Sequence, residues 1–387
     1  MTSDAIDIDI DKSAITVTGT QQHEAWRSRA MPPVEQIAGG IWSIPVPFPD
    51  NPLRYTLTYL VPGKQGVVVV DPGWQSEDGW QALVDGLRTA DIGIDDIVGI
   101  VATHVHADHH GLSGRLREAS GAWVAMHPAE RDSLPARIEQ ARSEPEGSRE
   151  RVARLMRIAG TPESAINTFL EQFDKLDGPN VAELIEPDVL LEDGDSVPLP
   201  GRQLFALWTP GHTPGHVCLR EPDARVLITG DHMLPRITPS VGLAPGAIGS
   251  PLPRFLNSLS RVAQYDDHEA LPAHEYRFRG IAARSVQLQE HHFQRCREIA
   301  AAVDELGTPT IWQIAERITW SRPWAEVGRM QVAALVETMA HTTHLVEERE
   351  LGWLSPGGLT GDVQPARLRR VRRTDSEERP IGEGLHR

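Results

Sequence analysis

The chain has 387 residues, long for one apolar core, so a large domain plus a smaller one is expected. Its 54 acidic against 38 basic side chains give a formal charge of −16, which weighs against a surface that grips phosphates along its whole length. No stretch approaches the ~20 apolar residues of a membrane span, so no membrane partner is expected. The only two cysteines, Cys218 and Cys296, suit a reducing cytoplasm rather than a disulfide framework.

The acidic start, MTSDAIDIDIDKSAI, lacks the basic and apolar regions of a secretory signal, and residues 1–30 read as a disordered leader. Order is expected from VEQIAGGIWSIPVP onward. RYTLTYLV and QGVVVVDPGW then read as a hairpin around PGK. WQALVDGLRTA carries Trp80, Leu83, Val84 and Leu87 at helical spacing and leads into the strand DIVGIVAT. A helix over residues 111–120 and the strand AWVAMH follow, so the pattern is mixed β and βαβ. Residues 129–185 break this rhythm with charged helical segments whose apolar faces include Leu155, Ile158, Ile166, Phe169, Leu170 and Phe173. They read as a helical insertion. Strands resume in GDSVPLPGRQLFALWTPGHTPGHVCLRE and ARVLITGDHM, and the domain, residues 31–282, closes near ALPAHEY. Beyond it come a long amphipathic helix, ARSVQLQEHHFQRCREIAAAVDEL, two further helices in TPTIWQIAERI and QVAALVETMAHTTHL, and a short strand pair in VEERELGWL. Three helices and a small hairpin over residues 283–358 resemble a winged-helix unit. Residues 359–387 read as a disordered tail.

One short stretch concentrates coordinating side chains. ATHVHADHHG places three histidines and an aspartate within residues 104–109, directly after the apolar run DIVGIV. A merely polar loop has no reason to be matched elsewhere. This one is: His212 in TPGHTPGH, Asp231 in LITGDH and His274 in LPAH each stand just past an apolar run. Strands paired in one sheet would bring such tips to one edge, and His104 and His106, two apart on extended backbone, project to one side.

These motifs, in this order, resemble the metallo-β-lactamase superfamily. His104, His106, Asp108 and His109 stand in its H-x-H-x-D-H pattern; His212, Asp231 and His274 match its later histidine, bridging aspartate and final histidine. Asp71 in VVVVDPG matches its early strand-end aspartate, and the resemblance covers about residues 35–280. It implies an α/β protein, an αββα four-layer sandwich. It also implies that His104, His106 and His212 hold one divalent ion and Asp108, His109 and His274 a second, with Asp231 bridging. Zinc is the expected metal and iron or manganese the alternatives. Two such ions lower the pKa of a shared water toward about 7 and polarise the substrate's oxygen. Asp108 would take up that water's proton and pass it to the leaving group, and Asp71 would orient a ligand imidazole. His232 and Tyr276 are the candidates for touching substrate, with Arg277 as readily a loop residue. His127 is expected to close a strand, His216 to pack or hydrogen-bond, and His291 and His292 to be solvated or at an interface.

The metal site makes hydrolysis the default without selecting the bond. A glyoxalase-II-like hydrolase of a small-molecule thioester, ester or lactone is the first reading, with residues 129–185 roofing an acyl pocket. A lactamase-like phosphodiesterase or endoribonuclease is the alternative, raised by the winged-helix-like unit. Against nucleic acid stand the acidic balance and a recognition helix, QVAALVETMAHTTHL, without Lys or Arg. That unit could instead pack on the catalytic domain or form a homodimer contact. Asp231 and the missing export signal disfavour a β-lactamase. His109 and His274 disfavour a mononuclear iron dioxygenase, and the full ligand set a DNA-binding regulator.

Overall fold

The computed structural model describes residues 15–49, 51–142, 145–173, 184–243, 249–354, 358–360 and 365–371. Seven strands form one sheet in the order Glu35–Gln36, Trp42–Pro47, Tyr55–Pro62, Val67–Val70, Ile97–Val101, Trp123–Met126 and Val189–Leu190. The expected hairpin around PGK pairs Tyr55–Pro62 with Val67–Val70, and the four strands from Val67–Val70 onward run parallel. A six-stranded sheet follows the order Thr16–Val17, Phe278–Arg279, Glu269–Pro272, Val226–Gly230, Val217–Glu221 and Phe205–Trp208.

Alternate residues of the facing strands interdigitate. Tyr55, Leu57, Tyr59 and Val61 meet Ala206, Val217, Leu219, Val226 and Ile228 in one buried core. Each outer face is covered by helices. Leu83 and Leu87 of helix Glu77–Thr89 pack on Ile44, Val46 and Val69, and Phe255 and Leu259 of helix Leu252–Val262 pack on Cys218, Leu227 and Ala270. The result is the four-layer αββα arrangement that the resemblance implied. Val226–Gly230 and Glu269–Pro272 are parallel, and Phe205–Trp208 runs with them because both it and Val226–Gly230 oppose Val217–Glu221. Asp71, His104, His212, Asp231 and His274 therefore all follow carboxyl ends of strands.

The helical parts of the chain come together. Helices Pro128–Arg142, Pro145–Ile158 and Glu163–Phe173 occupy the insertion, and Ile281–Leu306, Ile311–Ala315 and Gln331–Glu347 the C-terminal part. Met156, Ile166 and Phe169 share one apolar core with Ile299, Ile311, Ile314, Leu335 and Leu368. Two backbone hydrogen bonds stitch the same seam, Trp312 N to Ala159 O at 2.8 Å and Ala366 N to Ile158 O at 2.9 Å. Helices Pro145–Ile158 and Glu163–Phe173 thus build a single lobe with the C-terminal helices, whereas Leu134 of helix Pro128–Arg142 packs with Ala102, Val105 and Met126.

Both chain ends depart from expectation. In place of a disordered leader, residues 16–17 pair with 278–279, and Thr20–Ser28 is a helix. Gln22 is fully buried; its amide nitrogen donates to Ser43 Oγ at 3.1 Å and its amide oxygen accepts from Arg277 N at 3.0 Å. Arg54 lies 4.2 Å over the Trp26 ring. A buried amide with both partners and a covered indole outweigh the polar average of the segment. At the other end, Leu351–Trp353 pairs with Leu368–Arg370, inside the expected tail, because Ala366 and Leu368 are completely buried. Residues 1–14, 361–364 and 372–387, the remainder of the expected leader and tail, lie outside the described residues. No helix among the described residues is long and apolar enough to cross a membrane.

Candidate metal centre

Strand Ile97–Val101 delivers the chain to a tight turn in which His104 and His106 project together. His104 Nε2 lies 2.9 Å from His106 Nδ1, and His212 Nε2, from the other sheet, lies 3.2 Å from the same atom. One helical turn on, Ala107–His110 presents Asp108 and His109 to a second group. His274 Nε2 is 3.3 Å from Asp108 Oδ2 and 3.3 Å from Asp231 Oδ1; His109 Nε2 is 3.6 Å from Asp108 Oδ2 and 3.5 Å from Asp231 Oδ2. Asp231 Oδ2 also stands 3.7 Å from His212 Nε2, so one carboxylate touches both groups. All seven residues singled out as ligands are brought together.

Hydrogen bonds around the edge fix which ring nitrogen faces inward. His109 Nδ1 donates to Asp71 Oδ2 at 2.8 Å, His212 Nδ1 to Ser240 O at 2.8 Å and His274 Nδ1 to Tyr55 O at 2.8 Å. His104 Nδ1 donates to Thr103 Oγ1 at 3.1 Å, whose own hydroxyl donates to Asp71 Oδ2 at 2.7 Å. Each leaves Nε2 as a free lone pair. Asp71, at φ 51°, accepts in addition the Thr103 amide at 2.7 Å; a positive φ on a non-glycine is strain that this network of contacts holds in place.

The donor set fits divalent cations. Ligands about 2.1 Å from a tetrahedral ion stand about 3.4 Å apart, and the spacings above bracket that value. His109 Nε2, His274 Nε2 and Asp231 Oδ1 are buried with no hydrogen-bond partner, an arrangement that a cation satisfies. Electrostatics agree. Burial, reinforced by neighbouring imidazoles, holds His104 and His106 well below the usual histidine range and so neutral. Burial also opposes charge on His109 and His274, but there the carboxylates win: Asp108 and Asp231 push His109 up, and Asp231 and Asp108 push His274 to about 10. The second group wants positive charge among its acids, and the first offers neutral nitrogen.

The two residues expected to touch substrate are not brought to the cavity beside this centre. His232 is fully buried, its ring edge-on to Phe255 at 5.1 Å, and Tyr276 is buried with its ring 4.6 Å from that of His23. Both follow strand ends, but their side chains turn into the packing behind the ligands. Arg277 likewise turns inward, pairing with Glu269 and Glu35. His127 stacks on Trp208 at the end of its strand. His216 accepts the Asp231 amide at 3.2 Å, so it holds the backbone of the shared carboxylate. His292 is not solvated; it is buried against His341 at 3.0 Å between two helices.

Other contributors carry no motif. The buried Glu130 carboxylate accepts Val105 N at 2.9 Å and Gly215 N at 2.6 Å, tying the two histidine loops together. A cavity of about 270 Å³ opens over His106 and His212, walled by Arg137 of the insertion, by Ser240, Leu243 and Arg254, and by Val336 of helix Gln331–Glu347. The expectation that the insertion roofs the pocket was half of the arrangement; the C-terminal helix supplies another wall.

The family model of the metallo-beta-lactamase superfamily matches residues 51–274. An acyl-coenzyme A thioesterase of Bos taurus is 30% identical over 206 residues, 51% of this chain and 64% of that protein. A hydroxyacylglutathione hydrolase of Photobacterium profundum is 35% identical over 122 residues, 31% of this chain and 46% of the hydrolase. The chain thus spans under two thirds of the length of the first and under half of the second. The crystal structure of a metallo-beta-lactamase family protein from Thermus thermophilus superposes with a TM-score of 0.66 at 29% identity, covering 86% of this chain and 99% of that one. Ligand order, layer order and these matches agree: the chain belongs to the metallo-β-lactamase superfamily.

Proposed function

We propose that the protein is a metal-dependent hydrolase of small acyl thioesters, with esters and lactones as related carbonyl substrates. The observation that carries this reading is two donor groups sharing Asp231 beneath a cavity that His106 and His212 line. Divalent ions held there, zinc by the chemistry of the donors, would supply an activated water and polarise the acyl oxygen. The chain's own groups orient and exchange protons around that chemistry. Asp108, through Oδ2, would accept that water's proton and return it to the departing sulfur, and Thr56 Oγ1 donates to the Asp108 carbonyl at 2.8 Å. Asp71, through His109 and Thr103, keeps two imidazoles in the ring orientation the donor groups need.

Similarity to an acyl-coenzyme A thioesterase and to a hydroxyacylglutathione hydrolase supports the thioester bond. The charge of −16 supports a small substrate over a polyanion. The test is a panel of acetyl-CoA, S-lactoylglutathione and bis-p-nitrophenyl phosphate with the metal-loaded protein, alongside metal analysis. Thioester turnover at least about ten-fold above phosphodiester turnover, with about two equivalents of metal, is expected. Preference for the phosphodiester would move the protein to the nuclease-like branch, and one iron without thioester turnover to oxygenase chemistry.

A further inference from the structure

Two arginines line the cavity, and the metal centre uses neither. Arg137 comes from helix Pro128–Arg142 and Arg254 from helix Leu252–Val262, so they enter from separate elements. Arg137 is half-buried and near enough to His106 for its charge to act on that ring. Among the described residues it has no hydrogen bond and no carboxylate at ion-pairing distance. Glu130, the acid that acts on it from further off, spends both oxygens on the amides of Val105 and Gly215. Arg254 is exposed and equally without such a partner among the described residues. Much of the remaining wall (Leu243, Pro251 and Val336 among it) is apolar.

A guanidinium drawn partly out of water with no counter-charge costs free energy, and an anion arriving with the substrate removes that cost. Its planar fork suits the two oxygens of a carboxylate or phosphate. Resting on the thioester reading above, we propose that the substrate carries an anionic group, carboxylate or phosphate, clamped by Arg137 with Arg254 at the exposed rim. The apolar wall takes the acyl part, and the clamp aims the carbonyl at the His106 and His212 side.

Three acetyl thioesters with the metal-loaded protein test this: neutral S-acetyl-N-acetylcysteamine, S-acetylglutathione with its carboxylates, and acetyl-CoA with its phosphates. One charged thioester is expected to exceed the neutral one in kcat/KM by about ten-fold or more, and which one names the anion. Arg137→Gln should raise KM for that substrate about ten- to hundred-fold, with Arg137→Lys between and Arg254→Gln smaller in the same direction. Equal kcat/KM across the three, or a preference intact in Arg137→Gln, would overturn the clamp. Calorimetric binding of the inert thioethers S-methylglutathione and S-methyl-CoA to wild type and Arg137→Gln decides the same point without turnover. If no thioester is cleaved, the thioester reading falls, while weaker thioether binding by Arg137→Gln still supports the clamp and equal binding still sinks it.

Discussion

The floor and the roof of the cavity are made differently. The floor is a set of strand ends, each ligand a few residues past a strand and the rings of His104, His109, His212 and His274 directed by bonds to backbone, Thr103 or Asp71. The roof is drawn from several elements: Arg137's helix, packed on Val105 and Met126 through Leu134; Ser240 and Leu243; and helix Leu252–Val262. Val336 adds a wall from a lobe whose segments, more than a hundred residues apart, are held by apolar packing between residues such as Phe169 and Leu335. Chemistry that must be positioned within tenths of an ångström sits on the rigid sheets. The residues that wall the cavity from above, Arg137, Arg254 and Val336, sit on helices that carry none of the seven candidate donors.

Asp231→Ala should break the floor outright, since it removes the carboxylate that touches both donor groups. Hydrolysis falling to background and reduced metal content by mass spectrometry are expected; wild-type turnover would remove the shared-carboxylate reading. Leu335→Ala attacks the roof instead. Leu335 is fully buried in the lobe's core, so the loss is about 2–5 kcal/mol in urea unfolding. Because Val336 next to it lines the cavity, KM should rise while bound metal stays constant. Metal lost in step with Leu335→Ala would mean that floor and roof fold as one unit.

Acid gives the smallest effect and separates the two regions further. Burial presses His341 down to about 3, and it faces His292, the Glu337 carbonyl, Arg295, His291 and His344. The unfolded chain takes up this proton near the ordinary histidine value of about 6.5 while the folded lobe resists it. Stability is therefore full above about 6.5 and declines as pH falls from there toward 3. Melting temperatures of His341→Gln should fall less steeply with acid than those of the wild type, by a few degrees over that range. Parallel slopes would remove His341 as the cause.

What was legible follows from the same division. Histidine and aspartate past apolar runs, in an order that resembles a known family, pointed to seven candidate donors and Asp71, and the fold brings the seven together. Strands and helices with clear periods show a mixed α/β pattern, and the four layers came from the resemblance. The roof was opaque. Arg137 is one of three arginines in a charged helix, and Glu130 acts through backbone amides, which no pattern records. His232 and Tyr276 turn into the packing and do not line the cavity, because position in the chain says where a residue is, not which way its side chain turns. The two-residue strand Thr16–Val17 and the three-residue strand Leu368–Arg370 are too short to carry a period; partners supplied by the rest of the molecule make them strands.

The N-terminal segment also reaches the metal centre by a short route. Gln22 holds the amide of Arg277, and the amides of Thr18 and Gly19 both donate to its carbonyl at 3.1 Å, three residues past His274. Trimming the chain to begin at residue 31, as composition alone would recommend, strips the anchors from the last ligand's own loop. A tag or fusion should be joined ahead of that anchor and never in place of it.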